Sequence, residues 1–295
     1  MIRFFLWLIL LIAVAAPFTF LKPSNFDNVA EQKLDVNDKN RALTIKKPNE
    51  IVKAPKVIEK PLHDVALPDF AAIRDIPTKK ATFFNFIKPS IIAENNRILT
   101  IRTKLDSWLE NSTLGLGLTV QEEMELAHLA TKYRIKKTGS SLQLLTELLI
   151  RVDIIPLSLV LVQAANESAW GTSRFAKVGL NFFGIWCYRP HCGMVPKGRN
   201  AGAKHEVAAF TSIDEAVSGY FKNINSHNAY HVFRTIRSQL RGNNQPFSSE
   251  ILATGLLPYS ERGADYVMDI TDMLRHNQVF FADEKQEDYY KVLIE

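Results

Sequence analysis

The stretch IPLSLVLVQAANESAWGTSRFA, residues 155–176, decides how the rest of the chain is read. From Leu157 to Ala165 nearly every position is apolar or small, the pattern of a helix buried on all sides rather than along one stripe. Pro156 suits a first helical turn, and Gly171 suits the left-handed residue that ends a helix. The expected helix therefore runs over 156–170, and its single acid, Glu167, falls in the last turn. The helix dipole is negative there and opposes an ionised carboxylate by roughly 0.3–1 kcal/mol. Apolar neighbours such as Leu159 and Val160 oppose the charge as well, and both effects raise a carboxyl pKa. A carboxyl that stays protonated near neutral pH can serve as a general acid. The competing reading pairs Glu167 with Arg174, which would lower the pKa and remove that role.

Upstream, residues 83–110 place Ile91, Ile98, Ile101, Leu105 and Leu109 at helical spacing. Thr119 followed by Glu122 reads as a capping box opening a second helix, and residues 140–156 give a third. Downstream, residues 171–210 turn rich in Gly, Pro and aromatics, with HEVAAF (205–210) a candidate strand in a short hairpin. Helices return with Ser212 and Glu215 as another capping box, then HVFRTIRSQLR (231–241) and a helix within 260–277. The fold class is mainly α (α+β), a helical body with a small β-hairpin and no internal repeat.

With 295 residues, 46% of them hydrophobic, the chain can bury a sizeable core. Its net charge of +5 comes with lysines spread thinly through the first third, without the clustered basic and aromatic side chains of a nucleic-acid face. The first 21 residues carry Arg3 and an uncharged apolar run from Phe4 to Leu21, closed by Lys22. They read as a signal peptide, with Ala13-Val14-Ala15 as a cleavage site, or as a retained membrane anchor. Either reading puts the remainder outside the cytoplasm, in the periplasm or on the periplasmic face of the inner membrane. Residues 22–80, rich in Lys, Pro and Asn, read as a flexible linker. Residues 81–150 then form an accessory helical region, 151–282 the main domain and 283–295 a tail. Cys187 and Cys192 are the only cysteines. In an exported chain they favour a disulfide over a zinc site completed by His191. There is no phosphate-cradling glycine loop and no HExxH, so neither a cofactor nor a catalytic metal is expected.

Several ordered motifs resemble the glucosaminidases of glycoside hydrolase family 73, in particular exported bacterial members. Glu167-Ser168-x-Trp170-Gly171 comes first, then Asn181-x-Phe183-Gly184-Ile185. Phe210 closes the hairpin, Tyr220 precedes Ile224, and SHNAY ends on Tyr230. The likeness covers about residues 150–276 and extends upstream toward residue 81. It implies a lysozyme-like fold, a cleft between helical lobe and hairpin, and cleavage of peptidoglycan glycan strands after N-acetylglucosamine. It makes Glu167 the catalytic acid and Tyr220 a cleft residue that positions substrate or water.

Glycosidases normally use a second carboxylate. Glu206 is the hairpin acid available for that role, while Asp214 and Glu215 read as helix-start residues. If Glu206 lies outside the cleft, water activation falls to Tyr220 or to the substrate's acetamido group. Asn166, Ser168, Asn181, Phe183, Trp186, Tyr188 and Tyr230 are the candidates at or just behind the glycan surface. Phe183 and Trp170 are expected mainly in the core, Trp186 or Tyr188 at the cleft, and Phe175 and Phe182 are further stacking candidates. Arg189, Lys197, Arg199 and Lys204 make the hairpin basic, which suits peptide carboxylates or an ordinary solvated surface. A monomeric hydrolase is thus the expectation, set against a lytic transglycosylase and a catalytically weak wall-binding scaffold.

Overall fold

The structure, a computed structural model, describes residues 59–136, 139–199 and 202–281. The apolar segment 1–21, residues 22–58 of the expected linker and the tail from 283 lie outside that range. Among the described residues there are nine α-helices and one small antiparallel sheet, a mainly helical lysozyme-like fold. No helix among the described residues is long and apolar enough to cross a membrane.

Helix α1 (Ile76–Thr113) starts five residues before the expected order at Ala81. Asp75 caps it by accepting from the Thr78 amide at 2.8 Å. Phe83, Phe84, Ile87, Ile91, Ile98, Leu105 and Trp108 form its buried stripe. α2 (Val120–Lys132) opens with the Thr119–Glu122 capping box, and α3 (Ser141–Arg151) with a box from Ser140 and Gln143. α1 packs on α3 and on α4 (Leu157–Ser168). The accessory helices and the main domain therefore share one hydrophobic core. Each large apolar side chain fully buried there contributes roughly 1.5–3 kcal/mol.

Residues 59–80, expected as linker, are instead docked on the main domain. Glu59 pairs with Arg174 at 2.6 Å, the Leu62 amide donates to Val178 O at 2.8 Å, and His63 Nε2 meets Lys177 O at 3.0 Å. Phe70, 1% exposed, packs edge-on against Phe83 and sits where a side chain on Gly171 would stand. Backbone pairing and one aromatic order this strap, and neither leaves a hydrophobic period in the sequence.

α4 is the central helix, and Leu159 through Ala165 are each at most 1% exposed. It ends two residues earlier than expected. Ala169, Trp170 and Gly171 all take positive φ (49°, 58° and 74°). Ser168 stabilises this turn by donating to Ala164 O and accepting from the Gly171 amide. A short helix, α5 (Arg174–Gly179), follows.

The sheet has strand order β1 (Trp186–Cys187), β3 (Glu206–Ala208), β2 (Gly193–Met194). Trp186 pairs with Val207, Cys187 with Glu206 and Met194 with Val207. α6 (Ile213–Ser226) is capped by Ser212, but Glu215 returns to the Thr211 amide and hydroxyl rather than completing a box on Ser212. α7 (His231–Gly242), α8 (Ser249–Ala253) and α9 (Ala264–His276) complete the body.

Before α4, Asp153 is enclosed by arginines from α1 and α7. Arg102 stands 3.3 Å away and Arg241 Nε donates at 2.6 Å. Arg237, fully buried, donates to the carbonyls of Asp153 and Ile154 and to Asn225 Oδ1. This knot joins the accessory helices to the domain.

Candidate active site

Glu167 sits one turn after Gln163 on α4, half-buried at the helix end. Its pKa is raised chiefly by burial, and the Tyr266 hydroxyl, the Asn166 amide and the charge of Arg262 only partly offset that. Asn166 Nδ2 donates to Glu167 Oε1 at 3.3 Å. Arg174 is engaged by Glu59, so the ion pair that would have disarmed Glu167 is not formed.

Behind the acid runs a directed chain of hydrogen bonds. The Tyr220 hydroxyl donates to Gln163 Oε1, and Gln163 Nε2 donates to the Tyr266 oxygen at 2.9 Å. The Tyr266 proton is thereby left to point at Glu167, with which that hydroxyl interacts. Every donor in the chain has one acceptor, which a buried polar network requires. Tyr259 stacks on Tyr266 with centroids 5.5 Å apart and donates to Phe183 O at 2.6 Å. Burial holds the Tyr220, Tyr259 and Tyr266 hydroxyls well above the usual range and pushes Tyr230 up to about 12. All four act here as neutral donors or packing groups.

The loop after α5 forms the facing wall. Asn181 donates to Ile185 O and Ala208 O, both at 2.8 Å, and accepts from the amides of Phe183 and Ile185. That clamp holds Gly184, at φ 65°, against the acid, where an added Cβ would lie 3.5 Å from Glu167 Oε2. Glycine here supplies the left-handed backbone and leaves the carboxyl uncovered.

The expected site residues divide by burial. Tyr220 is not a cleft-lining residue. It is 0% exposed, stacked 4.4 Å from Phe183, and reaches Glu167 only through Gln163 and Tyr266. Ser168, Asn181, Phe183 and Tyr230 are likewise enclosed and shape the site from behind. Phe182 is core, and Trp170 packs against Phe83 and Phe84. Phe175 lies under the Arg174 guanidinium. Trp186 lies flat on His205, 4.2 Å between centroids, and keeps 52% of its surface exposed, while Tyr188 keeps 73%.

Glu206 does not join Glu167. Its oxygens accept from the amides of His191 at 3.1 Å and Gly193 at 2.9 Å, and the His191 bond leads in holding its carboxyl below the usual range. The acid thus anchors the turn closed by the Cys187–Cys192 disulfide. With both sulfurs bonded to each other, the zinc alternative with His191 falls away. Arg199 donates to His205 O, and Arg189, Lys197 and Lys204 are solvent-exposed.

Four residues at the site escaped the sequence reading: Gln163, Tyr259, Arg262 and Tyr266. Gln163 alone left a signal, as a polar residue inside an apolar run one turn before the acid.

Residues 142–279 match the glucosaminidase family, described as mannosyl-glycoprotein endo-β-N-acetylglucosaminidase. Protein Bax of Escherichia coli (strain K12) is 33% identical over 218 residues, 74% of this chain and 76% of that protein. No solved structure matches.

Proposed function

The chain belongs to the glucosaminidase family, glycoside hydrolase family 73, and from that premise we propose that it is a peptidoglycan hydrolase that cleaves glycan strands after N-acetylglucosamine. The carrying observation is Glu167, a half-buried carboxyl whose pKa burial raises and beside which Gly184 places no side chain. It donates its proton to the glycosidic oxygen as the C1–O bond breaks. Arg262 is the charged group acting on it among the described residues, and no second carboxylate is hydrogen-bonded to it there. Glu206 being held by amides and Tyr220 by Gln163, the nucleophile in this reading is the substrate's own acetamido oxygen. It bonds to C1 as the leaving oxygen departs. Water then attacks C1, giving its proton to the Glu167 carboxylate and restoring the acid.

The same lone acid also suits a lytic transglycosylase, in which a sugar hydroxyl replaces water. Mass spectrometry of muropeptides released from purified sacculi separates the two. Reducing N-acetylglucosamine ends are expected, and exclusively anhydro-muramic ends would overturn the hydrolytic reading. Glu167→Gln should lose on the order of 10²–10⁴-fold in release rate, the usual share of a positioned general acid. Sacculus binding without digestion by either form would instead indicate a scaffold.

We place the protein in the cell envelope. The apolar segment 1–21 and the Cys187–Cys192 disulfide support that reading, since disulfides persist in oxidising compartments. Protease protection of the full chain in spheroplasts checks it: accessibility from the periplasmic side is expected.

A further inference from the structure

Next to Asn166, the chain neighbour of Glu167, residues of α1, α4 and α9 border an open cavity of about 390 Å³. That size falls in the range of small-ligand sites. Asn166 is shared by both, lining the cavity while its amide donates to Glu167. The remaining polar walls carry opposite charges. Lys80 stands on one side, its ammonium 5.4 Å from the Trp170 ring centroid. Asp269 and Asp272 stand on α9, Asp269 held at 2.6 Å by Arg262 and Asp272 only loosely by Arg275 at 3.9 Å. His276 Nδ1 donates to Asp272 O at 2.7 Å, which leaves its Nε2 as an acceptor. Asn277 also lines the cavity. It is 2% exposed, its amide donates to Met273 O, and its Oδ1 has no hydrogen-bond partner among the described residues. A buried carbonyl left unpaired is destabilising, and a ligand's N–H would relieve that.

We propose that this cavity binds a zwitterionic amino-acid centre on the peptide attached to the glycan strand. Its ammonium meets Asp272 and the Asn277 and His276 acceptors, and its carboxylate meets Lys80. The two acids exclude a simple anion, and Lys80 disfavours a simple cation, so a group carrying both charges on one carbon matches the walls. The proposal rests on the peptidoglycan reading, because such a peptide hangs from the strand next to the bond that Glu167 is proposed to cleave.

The test is calorimetric titration of the full chain with two soluble peptides. L-Ala-γ-D-Glu-meso-diaminopimelyl-D-Ala carries the zwitterionic centre, and L-Ala-γ-D-Glu-L-Lys-D-Ala keeps the ammonium without that carboxylate. The diaminopimelyl peptide should bind at least tenfold tighter. Lys80→Met should erase the difference, and Asp272→Asn should weaken both peptides. Circular dichroism confirms that each variant is folded. Equal affinities in the unaltered chain, or a preference that survives Lys80→Met, overturns the proposal. Digestion of sacculi is followed in parallel. Peptide discrimination without glycan cleavage would sink the glucosaminidase reading and leave the pocket standing. Cleavage without discrimination would sink the pocket alone.

Discussion

At its two ends α4 lies between two carboxylates that titrate in opposite directions. Asp153, before the N-terminus, is almost wholly buried, yet Arg102, Arg241 and Arg237 overcome the desolvation that would raise its pKa and hold it low. Glu167, at the C-terminus, is less buried, yet its pKa rises because burial outweighs what Tyr266, Asn166 and the charge of Arg262 supply. Burial depth alone would rank them the other way. Whether cations converge on a buried acid decides if it stays a permanent charge or becomes a proton donor. Asp153 fastens the accessory helices to the domain; Glu167 is left able to do chemistry.

The most severe way to break this contrast is to neutralise the structural acid. Asp153→Asn removes the buried charge between Arg102 and Arg241 and leaves Asp106, half-exposed and 3.7 Å from Arg102, to offset them. Urea denaturation should show a loss of about 3–5 kcal/mol, as for other broken buried ion pairs. The native acid itself predicts the pH dependence. Its folded pKa lies below the unfolded one, so its contribution is present above the unfolded pKa and is lost as pH falls through the folded pKa. Asp153→Asn should flatten the acid limb of the stability curve.

Closing the open side of the other acid comes next. Gly184→Val puts branched carbons against Glu167 Oε2 at a φ that valine rarely adopts. Sacculus digestion should fall on the order of a hundredfold, the scale of a misplaced reacting group, while the helical circular dichroism persists. Full activity would mean that substrate does not approach past Gly184.

A finer cut removes the Tyr266 proton. Tyr266→Phe deletes a donor that lowers the Glu167 pKa and leaves the Gln163 amide without its acceptor. In the proposed role the acid works protonated, so activity is expected to fall as pH rises through its pKa. Raising that pKa moves the alkaline limb of the rate profile upward, with a rate loss of roughly tenfold or less at its maximum. An unmoved limb would mean that Tyr266 only packs.

The smallest effect is on stability at the Glu167 end. A carboxyl with a raised folded pKa contributes fully below its unfolded pKa and loses that contribution as pH rises through the folded value. Glu167→Gln should therefore melt on the order of a degree or two higher near neutral pH and converge with the unaltered chain in acid. An unchanged difference across pH would erase the contrast with Asp153.

Much of this was legible along the chain. An apolar run with one acid at its end, two capping residues three positions before a Glu, and two cysteines five apart are local patterns. Local patterns follow from hydrogen bonds and side-chain spacing within a turn or two, so the order of helices and the place of the candidate acid at the end of α4 could be read directly. What met that acid could not. Gln163, Tyr220 and Tyr266 stand on three helices and make one network only after those helices pack. Glu206 looked like a partner acid until folding brought the His191 and Gly193 amides to it. Phe70 gained its place only beside Gly171, about a hundred residues later. Sequence spacing determines the backbone's local hydrogen bonds, whereas the environment that sets a buried group's charge comes from residues distant in sequence, and tertiary packing alone selects them.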